Sequence, residues 1–188
     1  MPHRFHTENA IRGRGGRRLC LRPALAASVF GVVAVLAPPE ATAATKLALD
    51  LDLVGGIDEP GVESGAGGAL RLGQELDLIL LSLTPEVGAS YHTFGGAFEP
   101  THTSGFVGAR LSLGKVLEPG VFAHVGVGHL SGEGGSETAP ALDAGVSLDL
   151  TLLPVIDLGA HAAYDALLIS DADAFDWYRF GVHAALSF

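Results

Sequence analysis

The sequence predicts an all-β protein: an eight-stranded antiparallel up-and-down transmembrane β-barrel that follows a cleaved signal peptide. Three observations predict it. A short apolar run at residues 24–37 lies between arginines and a small-residue site. Beyond residue 44, apolar residues alternate with polar residues or glycine in eight stretches, the two-residue period of a strand with unlike sides. The 188-residue chain is also oily, with 48% hydrophobic residues and a mean hydropathy of +0.37. Yet no stretch after residue 44 reaches the roughly 18 apolar residues that a membrane helix needs.

The N-terminal segment is of a different kind. Arg4, Arg12, Arg14, Arg17, Arg18 and Arg22 precede ALAASVFGVVAVLA, and PPE and ATAA follow. A basic stretch, an apolar stretch and small residues in order make an export signal, with cleavage expected after Ala43 at Ala41-Thr42-Ala43. The chain thus divides into a signal peptide, 1–43, and a barrel domain, 44–188. Removing the signal leaves 5 of the 11 basic and 19 of the 21 acidic residues, so the formal charge moves from −10 to −14. Such an acidic domain repels nucleic acid. The single cysteine, Cys20, leaves with the signal, so no disulfide braces the exported domain.

The strands follow in order. The first, near 46–54, sets Leu47, Leu49, Leu51 and Leu53 against Ala48, Asp50 and Asp52. The second, 67–78, sets Leu70, Leu72, Leu76 and Leu78 against Arg71, Gly73, Glu75 and Asp77. The third, 82–95, sets Leu83, Val87, Ala89 and Tyr91 against Glu86, Gly88, Ser90 and His92. The fourth, 104–115, sets Val107, Ala109, Leu111 and Leu113 against Gly108, Arg110, Ser112 and Gly114.

The same alternation continues. The fifth strand, 119–130, has Val121, Ala123, Val125 and Val127 opposite Phe122, His124, Gly126 and Gly128. The sixth, 141–152, has Leu142, Val146, Leu148, Leu150 and Leu152 opposite Asp143, Gly145, Ser147 and Asp149. The seventh, 155–168, has Ile156, Leu158, Ala160, Ala162 and Tyr164 opposite Asp157, Gly159, His161 and Asp165. The eighth, 175–188, has Tyr178, Phe180, Val182, Ala184, Leu186 and Phe188 opposite Trp177, Arg179, Gly181, His183, Ala185 and Ser187.

Predicted connections alternate in length. Those at LDLILL, VLEPG and LLPV are tight; those at GGIDEPGVESGAG, FGGAFEPTHTS, HLSGEGGSETAP and ISDADA are longer and polar. Short turns on one rim and longer loops on the other suit a membrane barrel. The glycine-rich polar face suits the cramped inside of a narrow cylinder, and the leucines suit an unrestricted exterior. In lipid every backbone group must be paired, which a closed barrel achieves without a sheet edge.

The eight alternations and the ending Tyr178-Arg179-Phe180-Gly181-Val182-His183-Ala184-Ala185-Leu186-Ser187-Phe188 together resemble the small eight-stranded outer-membrane barrels of Gram-negative bacteria, such as OmpX and the OmpA transmembrane domain. The resemblance covers the whole chain after the signal. It implies that Phe180, Val182, Leu186 and Phe188 form the terminal signal read by the barrel-assembly machinery. It further implies an outer-membrane location among lipid and lipopolysaccharide, as a monomer.

An eight-stranded cylinder is just wide enough to be filled by its own side chains. A charge inside it is costly unless paired. A polar network is therefore expected among Arg71, Glu75, Glu86, Arg110, Asp149, Asp157 and Arg179, plugging the lumen. Asp50, Asp52, Asp143 and Asp165 share that face, as do His92, His124, His161 and His183. The four histidines sit on four strands with no H-x-x-H spacing, so no metal and no cofactor is expected. Tyr91, Tyr164 and Tyr178 read as an interfacial aromatic girdle. Acidic residues crowd the loops: Asp58, Glu59, Glu63, Glu99, Glu133, Glu137, Asp171 and Asp173.

The expected role is structural or surface-directed in the cell envelope, with no catalytic residues. Three alternatives compete. A narrow channel would need a water path past the arginines. A lipid A deacylase would use His129, Ser131 and Asp143, a set loosely similar to the H-x-S and downstream carboxylate of that enzyme family. A soluble lipocalin-like carrier would turn the apolar face inward.

Overall fold

The computed structural model describes residues 43–55, 61–78, 80–133, 135–153, 155–169 and 174–188. The predicted signal peptide, Ala43 apart, lies outside these residues, as do Asp58, Glu59, Asp171 and Asp173. Among the described residues every regular element is a strand: β1 Ala43–Gly55, β2 Val62–Leu78, β3 Leu81–Gly96, β4 Thr101–Leu113, β5 Leu117–Gly132, β6 Gly135–Leu153, β7 Ile156–Leu167 and β8 Phe175–Ser187. Each pairs antiparallel with its sequence neighbours, and β8 returns to β1 to close the barrel. The seam ends in a reciprocal pair of backbone bonds: Thr45 N–H donates to the Phe188 carbonyl at 2.8 Å, and Phe188 N–H donates back at 2.9 Å. Phe188 thus extends the ladder one rung past Ser187.

The two faces are inverted relative to a water-soluble protein. Leu49, Leu72, Leu111 and Leu148 point outward and are exposed, while Arg71, Arg110, Arg179, Asp50 and Asp52 are buried in the lumen. This arrangement is the reverse of the soluble-carrier alternative. Leu76 keeps the outward parity but is buried, at the level where β2 pairs with Ala43 of β1 and Leu83 of β3.

Bulk inside the narrow cylinder is accommodated by facing each large ring with a glycine. Phe106 on β4 lies opposite Gly88 on β3, and Phe122 on β5 lies opposite Gly145 on β6. A Cβ at Gly88 would meet the Phe106 ring at 2.5 Å, and one at Gly145 would meet the Phe122 ring at 2.6 Å. Two large side chains cannot share either level, so glycine is a packing requirement at both.

The connections differ from expectation. On the rim holding Ala43 and Phe188, two or three residues separate β2 from β3, β4 from β5 and β6 from β7, as predicted. On the other rim, however, the strands climb into three of the predicted loops and leave connections of only 56–61, 97–100 and 133–134, while the fourth, 168–174, stands about as predicted. HLSGEGGSETAP is mostly paired strand: His129 faces Thr138, Leu130 faces Glu137, Ser131 faces Ser136 and Gly132 faces Gly135. In this hairpin both faces of the strands are exposed from Gly132 to Thr138 among the described residues, so alternation lapses while backbone pairing continues. A reading based on alternation ends such strands too early.

The inverted faces predict a depth-dependent response to charge. Val146→Lys, at the middle of the outward apolar run of β6, should cost about 2–4 kcal/mol of folding stability in lipid vesicles, and Ser136→Lys, in the exposed hairpin, about 0–1. Equilibrium unfolding in vesicles measures both; equal costs would contradict an outward face buried in hydrocarbon.

Candidate functional site: a filled lumen

The lumen concentrates the chemistry of this chain. Its centre is built around Arg71 on β2. The guanidinium donates to both carboxylate oxygens of Asp50 on β1, from Nε at 2.7 Å and Nη2 at 2.8 Å, and Nη1 donates to Glu86 on β3 at 2.8 Å. Glu86 passes the chain on through its other oxygen to His124 Nε2 at 2.8 Å, and His124 Nδ1 meets Asp143 on β6 at 2.7 Å. Arg179 on β8 lies 3.4 Å from Asp143, 3.3 Å from Asp165 and 3.9 Å from Asp52. Arg110 sits more loosely, 3.8 Å from each of Glu86 and Asp149, with its guanidinium 4.8 Å from the Phe122 ring centroid. Fork-shaped guanidinium groups suit such bridging because their donors are planar and fixed in direction.

Histidines complete the network. His92 Nε2 meets Asp52 at 3.0 Å and His161 Nε2 meets the other Asp52 oxygen at 2.8 Å. His183 Nε2 bonds Asp149, and the Nδ1 atoms of His161 and His183 face each other at 3.3 Å. All four predicted inward histidines are buried.

Two of the predicted network residues are held elsewhere. Glu75 and Asp157 are bridged not by an arginine but by Lys46 on β1, at 3.1 and 2.9 Å, near the termini rim. Thr151 ties Asp157 (2.7 Å) to Glu118 (3.1 Å) at the same level. Lys46 and Glu118 went unnoticed in the sequence because they lie at the margins of alternating runs, where facing is weakly defined. Parity was the available signal: Lys46 is two residues before Ala48.

The polar network does not fill the lumen alone. Toward the loop rim, Val54, Phe94, Ala139, Leu167, Phe175 and Trp177 form an apolar cluster, with Trp177 and Leu167 at 1% and 0% exposure. The Phe94 ring meets the Phe175 and Trp177 rings edge-on, both centroids at 5.6 Å. His102 packs at 4.9 Å from Trp177 and stacks on His92 at 6.2 Å. Sequence reasoning missed His102 because the predicted fourth strand began at 104, leaving it in a loop. Below the cluster, the two cavities of the network hold about 30 and 10 Å³, and the larger has room for about one water.

On the outer face Tyr91, Tyr164 and Tyr178 are exposed toward the loop ends of their strands, and Tyr164 and Tyr178 lie side by side with ring centroids 5.5 Å apart. Phe180, Val182, Leu186 and Phe188 line the outward side of β8, Phe188 at 76% exposure. The residues of the deacylase alternative are not brought together. His129 Nδ1 bonds Thr138 Oγ1 at 2.8 Å, Ser131 Oγ bonds Thr101 Oγ1 at 2.8 Å, and Asp143 points into the lumen against His124. No serine–histidine–carboxylate relay joins these three.

No protein-family model matches the chain, and no curated protein sequence matches it. Solved structures do. The crystal structure of Neisserial surface protein A is 14% identical over 78% of this chain and 97% of its own, with a TM-score of 0.53. That of a major outer membrane protein from Thermus thermophilus is 15% identical over 77% of this chain and 99% of its own, with a TM-score of 0.50. Such low identity carries the architecture and nothing finer. Together with the closed barrel and its outward leucines, it shows that this chain has the fold of the small eight-stranded bacterial outer-membrane β-barrels.

Proposed function

We propose that this chain is an integral outer-membrane protein with a sealed lumen, serving the cell envelope as a structural or surface element and not as a conduit. The observation that carries the reading is the filling of the lumen. Arg71, Arg110 and Arg179 span it with their carboxylates, and the Trp177 cluster packs above them. A solute would have to break buried ion pairs and then displace a packed aromatic cluster, each of which costs several kcal/mol. The export signal and the outward apolar belt support the location; lipid and lipopolysaccharide are the partners that such a belt requires. The outward side of β8 suits recognition by the barrel-assembly machinery during insertion of a monomer. Surface contacts would run through the exposed strand ends, where Glu133 and Glu137 project beside Ser136 and Thr138.

Planar-bilayer recording of the purified protein should be electrically silent; steady unitary openings would overturn the sealed lumen. A second measurement addresses the network itself. Arg71→Ala strands the buried carboxylate of Asp50 and takes one of three partners from Glu86, and should lower folding stability by about 3–5 kcal/mol, read by denaturant titration alongside heat-modifiable gel migration. A loss below about 1 kcal/mol is the value of an exposed ion pair and would show that the arginine does not hold the lumen.

A further inference from the structure

His161 and His183 are arranged in a way that the ion-pair network alone does not explain. His161 on β7 reaches across Gly181 on β8 to Asp52 on β1. His183 on β8 reaches across Gly159 on β7 to Asp149 on β6. Each glycine makes the crossing possible: a Cβ at Gly181 would meet His161 Nε2 at 2.6 Å, and one at Gly159 would meet His183 Nε2 at 2.5 Å. The two rings are thus oriented in opposite senses by carboxylates behind them, and their Nδ1 atoms are brought face to face at 3.3 Å.

A carboxylate accepts, so each Nε2 carries its proton toward Asp52 or Asp149. In the neutral imidazoles that leaves two unprotonated Nδ1 atoms 3.3 Å apart in a buried site, a repulsion that a cation bound to both removes. A carboxylate oxygen of Asp50 and ring nitrogens of His161 and His183 all lie within 4.8 Å of one another. The surroundings are also short of positive charge. Three guanidinium groups (Arg71, Arg110, Arg179) face six carboxylates (Asp50, Asp52, Glu86, Asp143, Asp149, Asp165).

We propose that the mid-lumen binds one divalent transition-metal ion, zinc in the first instance, through His161 Nδ1, His183 Nδ1 and the Asp50 carboxylate. The spacing fits. With zinc–nitrogen bonds of about 2.0–2.1 Å, two ligands on a tetrahedron are about 3.3–3.4 Å apart, the observed separation of the Nδ1 atoms. Asp52 and Asp149 stand where a metal-bound imidazole needs its outer acceptor, fixing the tautomer and raising the ligand's basicity. Arg71 orients Asp50 in the same way, and each of its carboxylate oxygens retains a lone pair for the ion. Asp50 and His161 line the 10 Å³ cavity, and His183 the 30 Å³ one. Two imidazoles and a carboxylate match zinc and cobalt, whereas calcium and magnesium prefer all-oxygen shells. Sequence spacing could not have shown this, since the two histidines are 22 residues apart and meet only through the β7–β8 register.

The test uses the full protein extracted from membranes in detergent, and the same protein refolded with Zn²⁺ or Co²⁺. Elemental analysis after removal of free metal should find one zinc per chain. The cobalt form should show the visible absorption of a tetrahedral nitrogen–oxygen shell. His161→Gln and His183→Gln should abolish stoichiometric uptake. Asp149→Ala, which removes the acceptor behind His183 together with a 3.8 Å partner of Arg110, should weaken zinc binding about 10–100-fold. His129→Gln, on the outer surface, should bind as the parent does. Heat-modifiable migration reports whether each variant is folded, and the parent protein decides the matter even where a variant is not. A folded parent that takes up neither metal stoichiometrically would overturn the site and assign the Nδ1 pair to a shared proton. Equal loss of uptake in His129→Gln and His183→Gln would overturn it too. Bilayer silence is unaffected by either result, so failure of this site leaves the sealed-barrel reading separately testable.

Discussion

Closure of the backbone ladder is the constraint from which the rest of this structure follows. Hydrocarbon offers no partner to an unpaired amide or carbonyl, so a sheet can lie in a membrane only if its first and last strands find each other. Here the contact is made by β1 and β8, from Gly55 opposite Tyr178 down to the reciprocal bonds of Thr45 and Phe188. Each of the other strands is held on both sides by its sequence neighbours, so among the described residues the seam is the one pairing that joins the two ends of the barrel sequence. That is a demanding closure for a chain to find, and it gives the last residue a physical reason to be part of the fold.

Closing with eight strands then dictates the interior. An eight-stranded cylinder is just wide enough to be filled by its own side chains, and here they fill it. Because the outer face belongs to lipid, polar groups can go only inward, where each charge has to meet an opposite charge or a hydrogen-bond partner. Glycine is the complement of this demand: Phe106 opposite Gly88, Phe122 opposite Gly145, and the two histidines crossing Gly159 and Gly181 are one device used four times. Bulk on one strand is possible because the next strand has none.

Much of this was legible in the sequence, for a specific reason. Alternation is strong where one face meets hydrocarbon and the other a polar lumen, so Leu49 against Asp50 or Leu148 against Asp149 reads unambiguously. It fades where that contrast ends. Toward the loop rim the inward set turns apolar (Val54, Phe94, Leu167, Phe175) and the outward set meets water, so the strand continues without its signature. His102, the β5–β6 hairpin and the Trp177 cluster all lie in that zone. The face assignments of Arg71 and Glu86 could be read from parity, but not that Glu75 and Asp157 would go to Lys46. Parity gives the face; partner choice depends on the stagger between strands, which a single chain does not display.

That zonation gives the lumen a direction. Beside the Thr45–Phe188 end of the seam Lys46 and Glu75 are partly exposed, the middle is a lattice of guanidinium, imidazole and carboxylate, and the loop end is a packed aromatic cluster. An apolar seal excludes water from the groups beneath it, and with water excluded the attraction between paired charges is screened less. The same exclusion makes any unpaired charge there more costly. The cluster and the lattice therefore depend on each other: the aromatic packing strengthens the ion pairs below it, and the pairing of Arg71 with Asp50 and Glu86 allows a charged interior to lie beneath an apolar lid.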